Sequence, residues 1–270
     1  AIPIHMLQDI ECHVIHHIEE VVNHLEGQEN LQFIPSFIPE DPISLFTNPT
    51  QKDFCHVIGH EQAKRALEIA AAGEHNVLMS GPPGCGKSLL AETFSSILPP
   101  LTNHSQLEVM SLYQLAGESR ASHQAAPFRH PHHSASSVAI IGGGSRPRPG
   151  EISLAHHGVL FLDEIAEFTK KTLDMLRQPL ETGKVTISRA HSTVTYPASF
   201  ILIGAMNPCP CGYLGSNHHY CTCSEKQIQT YRNRLSGPVH DRIDILLSLQ
   251  SVSLEQGMKT EEGSMEIRKR

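Results

Sequence analysis

One glycine-rich stretch constrains the fold of this chain more than any other. Residues 81–88 read Gly-Pro-Pro-Gly-Cys-Gly-Lys-Ser, which fits the phosphate-binding pattern G-x-x-x-x-G-K-[ST]. An apolar run at 76–80 precedes it, and residues 89–94 favour a helix. A strand, a glycine loop and a helix in this order cradle an anion with backbone N–H groups. The alternative, a Gly/Pro turn that happens to precede Lys-Ser, is disfavoured by the flanking strand and helix.

The residue types in this loop suit ATP and Mg²⁺. A side chain at Gly84 or Gly86 would obstruct the approach of the backbone to the phosphates. Lys87 would reach the β- and γ-phosphates, and the Ser88 hydroxyl would hold Mg²⁺. The predicted nucleotide-binding residues are Gly81, Pro82, Pro83, Gly84, Cys85, Gly86, Lys87 and Ser88.

Two further apolar runs end in polar side chains. Residues 158–162 lead into Asp163 and Glu164, and residues 200–206 lead into Asn207. Ligands of α/β sheets bind at the carboxyl ends of the strands. Asp163 would position Mg²⁺ through water, Glu164 would deprotonate the attacking water, and Asn207 would bind that water or the γ-phosphate. A solvated acidic turn and an ordinary strand-end cap are the alternatives.

A cysteine cluster follows Asn207 in two C-x-C pairs. Residues two apart in extended backbone face the same way, so each pair can aim two sulfurs at one ion. Four thiolates suit tetrahedral Zn²⁺, and His218 or His219 could replace one sulfur. Reduced cysteines or a disulfide are the alternatives, although a nucleotide loop favours a cytoplasmic location, where thiols stay reduced. The predicted zinc ligands are Cys209, Cys211, Cys221 and Cys223.

The net charge of −7, with histidine neutral, argues against a uniformly basic nucleic-acid-binding surface but leaves room for local basic loops. Residues 184–196 alternate as a β-hairpin, and a Gly/Pro-rich loop holds two further arginines. Either tip could contact a phosphate backbone or simply be solvated. No apolar run approaches the roughly 20 residues of a membrane span, so no membrane partner is expected. The predicted DNA contacts are Arg146, Arg148, Arg189 and His191.

The remaining segments carry local expectations. The spacing of apolar residues predicts a helix within 1–26, and residue propensity predicts a strong helix over 61–72. Residues 172–181 favour a helix with a proline near its end, and residues 107–110 favour a second strand. The histidine-rich stretch 130–133 could bind metal, but a solvated or hydrogen-bonded surface is favoured because no carboxylate or cysteine completes the set. We expect the chain to be part of a longer protein.

Six stretches together resemble one family, the magnesium chelatase-like AAA+ ATPases of the ComM/YifB type, over roughly residues 53–270. They are residues 57–73, 81–88, 127–134, 147–164, 207–212 and 234–244. The resemblance implies an α/β fold: an AAA+ P-loop three-layer αβα core with β-hairpin inserts and a truncated helical lid. The implied domains are a remnant of a Lon-protease-like N-terminal domain (1–27), a linker (28–52), the ATPase core (53–254) and the start of the lid (255–270).

The resemblance also implies an ATPase that works as a homo-oligomeric ring, expected to be a hexamer, with nucleotide between subunits. Ile58 and Gly59 would seat the adenine. Arg242 would be the arginine finger that reaches a neighbour's γ-phosphate, with a plain surface salt bridge as the alternative. ComM-type proteins are implicated in DNA branch migration, so DNA is the expected substrate. The alternative is the ATPase motor subunit of a magnesium chelatase-type metal insertion complex.

Overall fold

A parallel sheet built from short apolar segments forms the centre of the protein. The computed structural model describes residues 13, 15–28, 52–120, 124–145, 147–189, 192–216, 219–251 and 262–270. The strands are β1 (Val77–Ser80), β2 (Phe128–Arg129), β3 (Gly142–Gly143), β4 (Arg148–Pro149), β5 (Gly158–Leu162), β6 (Lys184–Arg189), β7 (Ser192–Pro197), β8 (Phe200–Met206) and β9 (Ile245–Ser248). The helices are α1 (Ile18–Leu25), α2 (Glu61–Gly73), α3 (Lys87–Phe94), α4 (Asn103–Ala116), α5 (Ser137–Ile141), α6 (Glu151–Leu154), α7 (Lys170–Met175), α8 (Arg177–Thr182), α9 (Glu225–Arg232), α10 (Gly237–His240) and α11 (Ser264–Arg268).

The strand order of this sheet is β2-β5-β8-β1-β9, with every neighbouring pair parallel. The phosphate loop follows β1, the acidic pair follows β5, and Asn207 follows β8, which lies between them. Parallel strands bring these three ends to one edge. The order therefore assembles one site from segments distant in the sequence.

Both faces of the sheet are buried, which is why its central strands read as continuous apolar runs. Val77 and Met79 pack on one face with Leu67 of α2 and Phe94 of α3. Leu78 packs on the other face. Leu112 of α4 and Leu173 of α7 complete this second layer. The result is the expected three-layer αβα core of the AAA+ fold.

The prediction of a strand over residues 107–110 is wrong, because these residues lie in the middle of α4. The side chain of Thr102 caps the helix by accepting the N–H of Ser105, and Gly117 ends it in the left-handed conformation. Val109, Leu112 and Tyr113 are buried at helical spacing. A short apolar run cannot by itself distinguish a strand from a buried helix.

Other segments agree with the sequence more closely. The hairpin β6–β7 forms as predicted, with Thr186 opposite Thr195. The helix expected around residues 172–181 is instead two helices, α7 and α8, that meet at Leu176. Pro179 falls in the first turn of α8, where its missing N–H has no helical partner to lose.

Two segments near the ends of the described chain are helical. Helix α1 falls within the region where a helix was expected. Helix α11 packs against the start of the core, because Ser264 Oγ accepts the N–H of Phe54 at 2.8 Å and its own N–H donates to Asp53 Oδ1 at 3.0 Å. The assignment of residues 255–270 to a lid stays a prediction. Over the described ranges, no helix has the length and apolar character needed to cross a bilayer.

Candidate active site

The phosphate loop has the backbone that an anion cradle requires. Gly84 and Gly86 have φ values of +77° and +89°, a region that favours glycine. Helix α3 starts at Lys87, so its free N–H groups face the loop. The helix dipole adds positive potential at the same place. These features fit a bound phosphate group.

Lys87 joins this loop to the neighbouring strand end. Its Nζ donates to the carbonyl oxygens of Gly81 at 2.7 Å and Pro82 at 2.9 Å. The same ammonium lies 3.3 Å from Oδ1 of Asn207. One positive charge is therefore held at the end of β1 and within reach of the end of β8.

Ser88 and Asp163 form the second contact across this edge. Ser88 Oγ donates to Asp163 Oδ2 at 2.9 Å, and Asp163 Oδ1 accepts the N–H of Glu164 at 2.9 Å. A hydroxyl and a carboxylate are hard oxygen donors of the kind that Mg²⁺ prefers. The predicted magnesium ligands thus lie together and fit the ion.

Glu164 occupies a strained turn and contacts a residue that the sequence analysis did not select. Its φ is +49°, the left-handed region, and its carboxylate is about half exposed. Oε2 of Glu164 lies 3.4 Å from Nδ1 of His133. His130 packs on the Phe161 ring at 4.6 Å, and His132 stacks on His133 at 4.1 Å. The histidine stretch therefore lines the acidic turn, and the described residues there form no metal cluster.

The segment expected to seat the adenine lies against the phosphate loop. His60 has a left-handed φ of +57°, and its Nε2 lies 2.9 Å from the carbonyl oxygen of Cys85. Because a carbonyl only accepts, this nitrogen carries the proton. Burial lowers the pKa of His60, which keeps the ring neutral. Ile58 and Gly59 directly precede this anchor, with Ile58 exposed and Gly59 buried.

Arg242 lies at the opposite end of the sheet from Lys87. It precedes β9, and its carbonyl oxygen accepts Nδ2 of Asn76, the residue before β1. Its guanidinium is 43% exposed and pairs with Glu181 Oε1 at 3.0 Å. The length of β1 separates Arg242 from the phosphate loop of its own chain.

Asn76 is a positioning residue that sequence reasoning did not identify. Besides its bond to Arg242, its Oδ1 accepts the N–H of Leu202 at 2.8 Å in β8. Its backbone N–H donates to Asp244 Oδ2 at 2.7 Å. One side chain thus aligns the amino ends of β1, β8 and β9.

Two hairpins bring arginines of the predicted nucleic-acid set near each other. Tyr196 of β7 donates its hydroxyl to the carbonyl oxygen of Pro147 at 2.8 Å, which fastens β6–β7 to β3–β4. Arg148 and Arg189 are exposed on these hairpins. Arg189 reaches Gly143, where a Cβ would lie 3.0 Å from its Nη2. The other two predicted contacts, Arg146 and His191, lie outside the described residues.

The four predicted zinc ligands converge. Their sulfurs all lie within 4.8 Å of one another, and no two of them are joined in a disulfide. Cys209 Sγ lies 3.4 Å from Cys211 Sγ and 3.7 Å from Cys221 Sγ, which is 3.6 Å from Cys211 Sγ. A tetrahedral zinc with bonds of about 2.3 Å separates its sulfurs by about 3.8 Å. The cluster therefore fits zinc without a histidine; His219 packs on Tyr213 instead.

The thiols of this cluster differ in acidity. The backbone N–H of Tyr213 is the largest cause that lowers the pKa of Cys211 to about 6, against the effect of burial. The N–H of Cys223 favours the Cys221 thiolate, but burial and the neighbouring sulfurs outweigh it and raise the pKa of Cys221 to about 12. Adjacent negative sulfurs repel one another, so a divalent cation would stabilise them together.

A second group of possible metal ligands lies at the amino end of the sheet: Glu108, His156 and His157. His157 Nε2 lies 2.8 Å from Glu108 Oε2. Nδ1 of the buried His156 accepts the N–H of Ser199 at 3.0 Å. Burial lowers the pKa of His156, and a neutral ring that accepts at Nδ1 carries its proton on Nε2. A protonated nitrogen cannot bind metal, so this group is a hydrogen-bonded network.

A phosphate loop after β1, an acidic pair after β5 and a polar residue after the strand between them define a P-loop protein with the AAA+ fold. The sequence model of the family described as magnesium chelatase, subunit ChlI, matches residues 53–257, and the chain belongs to this family.

The curated relatives include two close and one distant match. The chain is 48% identical to "Uncharacterized protein YifB" of Salmonella typhimurium over 88% of this chain and 46% of that protein. It is 47% identical to "Competence protein ComM" of Haemophilus influenzae over the same shares. "Magnesium-chelatase 67 kDa subunit" of Chlorobaculum parvum is 26% identical over 57% of this chain and 23% of that protein. The chain thus spans about half the length of the close relatives.

Proposed function

We propose that this chain is the ATP-hydrolysing part of a ring-forming motor that acts on DNA. The observation that carries the proposal is the set of contacts that joins Lys87 to Asn207 and Ser88 to Asp163 at one edge of the sheet. Lys87 would bind the β- and γ-phosphates, and Ser88 and Asp163 would hold Mg²⁺, which would supply charge neutralisation at these phosphates when bound. Glu164 takes the proton of the attacking water, and Asn207 orients that water.

The ring part of the proposal rests on Arg242. Arg242 cannot serve the γ-phosphate of its own subunit, because it lies across the sheet at the amino end of β9. A neighbour that presents this side chain completes the site and stabilises the charge of the transition state. We propose a homo-oligomer, and a hexamer as its size.

DNA as substrate is supported by Arg148 and Arg189, which two joined hairpins expose near each other. It is supported also by the relative named as a competence protein. Positive side chains on projecting hairpins suit a phosphate backbone better than a small neutral ligand.

The test is the ATPase rate of the full-length protein with and without forked DNA. We expect DNA to stimulate hydrolysis. Glu164→Gln should lower turnover by about 10²- to 10⁴-fold while ATP still binds. Glu225→Gln, the control at an exposed acid on α9, should change nothing. Arg148→Ala with Arg189→Ala should remove only the stimulation. Hydrolysis without any response to DNA, together with no DNA binding, would contradict the DNA part.

A second function, the motor subunit of a metal insertion complex, is favoured by the family match and by the distant chelatase relative. It predicts copurification with a large partner and ATP-dependent insertion of Mg²⁺ into a tetrapyrrole. The same full-length protein, assayed for both activities, separates the two functions.

We also propose that Cys209, Cys211, Cys221 and Cys223 hold one Zn²⁺ in a reducing compartment such as the cytosol. Four thiolates in tetrahedral arrangement leave no open position, which is typical of a structural site. Metal analysis of protein purified under reducing conditions should find about one zinc per chain. A disulfide within the cluster, detected by mass, would replace this proposal.

A further inference from the structure

We infer that the cysteine cluster is coupled to the nucleotide site, so that zinc occupancy controls the affinity for ATP. The inference rests on the proposed zinc site and on the proposed nucleotide site. It concerns the described residues that connect them, 207–216 and 219–224.

The first link is direct contact between the two loops. Gly212, one residue after Cys211, has a φ of +85°. A Cβ at this position would lie 2.9 Å from Cδ and Cγ of Pro83 in the phosphate loop, and 3.9 Å from Cγ of Asn207. The cysteine loop therefore rests on the phosphate loop with no room for a side chain between them.

The second link is the backbone that runs from Asn207 into the cluster. Cys209 is fully buried, its carbonyl oxygen accepts the N–H of Gly212 at 3.0 Å, and its sulfur accepts the N–H of Leu214 at 3.4 Å. Fixing Cys209 and Cys211 on an ion thus fixes Gly212 against Pro83. It also fixes Asn207, whose Oδ1 faces Lys87.

The third link ties the other end of this segment, near Cys223, back to Asn207. Cys223 lies just before the N-cap Ser224 of α9, and this helix places the buried Tyr231 against Asn207. Burial raises the pKa of Tyr231, and the backbone of Asn207 partly offsets this effect. Without the ion, only weak thiol contacts hold the four sulfurs together in a loop that is tied to the phosphate site at both ends. Loss of zinc should therefore loosen Asn207 and Pro83 together.

Coupling between two binding sites is reciprocal. If zinc strengthens ATP binding by a given factor, ATP must strengthen zinc binding by the same factor. Factors of about five to 150 are usual for such couplings, and we expect roughly ten-fold here.

The experiment uses the full-length protein, zinc-loaded or stripped with a chelator under reducing conditions. A fluorescent ATP analogue reports the dissociation constant, and a chromogenic chelator reports zinc release. Cys221→Ser with Cys223→Ser should lose zinc and weaken nucleotide binding about ten-fold, although neither residue belongs to the phosphate loop. Cys55→Ser, outside the cluster, should change neither quantity.

Gly212→Ala separates the contact from the metal. It keeps all four sulfurs, so zinc should remain, but its Cβ meets Pro83, so nucleotide affinity should fall and ATP should no longer slow zinc release. Gly215→Ala is the matched control: its φ is +77°, a similar strain, yet nothing lies within 4 Å of its Cβ. It should retain zinc, ATP affinity and the effect of ATP on zinc release.

The outcomes are distinguishable. Zinc removal that leaves nucleotide affinity unchanged, with zinc present in the native protein, overturns the coupling alone. Native protein without zinc overturns the metal site and the inference with it. Native, zinc-loaded protein that fails to bind ATP overturns the proposed function.

Discussion

Strand β8 joins two polar clusters that differ in character. Its carboxyl end leads into Asn207 and the four cysteines, and its amino end begins beside Ser199, which binds His156. Each end gathers three or more possible metal-ligand atoms within 4.8 Å. At the amino end the His156 ring offers no free lone pair, because Nδ1 accepts the Ser199 N–H and Nε2 of the neutral ring carries the proton. At the carboxyl end the four sulfurs lie within 4.8 Å of one another.

This difference shows that proximity alone does not make a group of ligand atoms a metal site. The protonation of these atoms and their existing hydrogen-bond partners decide whether they can bind an ion. Nδ1 of His156 already accepts a backbone N–H, whereas the sulfurs of the cysteine cluster lie beside one another at distances that suit one shared ion. We therefore expect substitutions at the carboxyl end to change function and those at the amino end to change stability. Arg242 is the expected exception.

Lys87→Ala should give the largest effect. Removal of the ammonium takes away a charge-assisted contact to the phosphates, so hydrolysis should fall by more than about 100-fold with little change in the free energy of unfolding. Steady-state ATPase rates and urea unfolding measure the two quantities. Lys226→Ala, on exposed α9, is the control. A variant that kept native turnover would remove Lys87 from the site.

Arg242→Ala tests the expected exception at the amino end of the sheet. If Arg242 serves a neighbour, its loss should lower hydrolysis by about 10³-fold although it lies at the amino end. Arg177→Ala is the matched control, because Arg177 pairs with the same oxygen of Glu181 at 3.1 Å. Equal, small effects of both variants would show a plain surface salt bridge.

A mixing experiment sharpens this result. Arg242→Ala subunits retain a phosphate loop, and Lys87→Ala subunits retain the arginine. Mixed rings should therefore recover part of the lost activity at interfaces where both groups are intact. Absence of recovery in rings shown to contain both subunits would contradict action in trans.

The positions of the residues at the carboxyl end of the sheet were predictable from the sequence, because these residues fall in short local patterns. Strand-loop-helix order identified the phosphate loop, and apolar runs that end in Asp163 and Asn207 indicated where the strands stop. The C-x-C pairs indicated converging sulfurs. Each of these patterns depends on neighbours within a few residues, so it is visible without the fold.

The amino end could not be predicted in the same way. Asn76 and Arg242 are 166 positions apart, and His157 and Glu108 are 49 apart. The contact of His133 with Glu164 likewise depends on β2 lying beside β5. Their roles follow from the strand order, which neither composition nor spacing reveals. The expected strand at 107–110 failed for a related reason, since the packing of α4 decided its structure.

His156→Leu should destabilise the protein without changing its function. The substitution removes the acceptor of the Ser199 N–H, and loss of an ordinary hydrogen bond costs about 0.5–1.5 kcal/mol. His156→Asn can offer an oxygen near the former Nδ1 and should recover part of the loss. Urea unfolding measures stability, with zinc content and ATPase rate followed in parallel. Loss of bound metal in His156→Leu would show that the amino-end cluster is a metal site after all.

Glu108→Gln should give the smallest effect. The hydrogen bond from His157 is the main cause that holds the pKa of Glu108 below its usual range, and burial opposes it. A carboxyl with a lowered folded pKa contributes stability above its ordinary pKa and loses it as the pH falls. Because the side chain is 36% exposed, we expect only a few tenths of a kcal/mol at about pH 7.

The pH dependence of this pair separates an ion pair from simple packing. A double-mutant cycle of Glu108→Gln and His157→Gln isolates the coupling between the two side chains. The coupling should be present near pH 7 and should vanish at acid pH, as the pH falls through the lowered pKa of Glu108, since the glutamine variant has no proton to bind. A coupling that is equal at both pH values would mean that shape, and not charge, holds the amino end together.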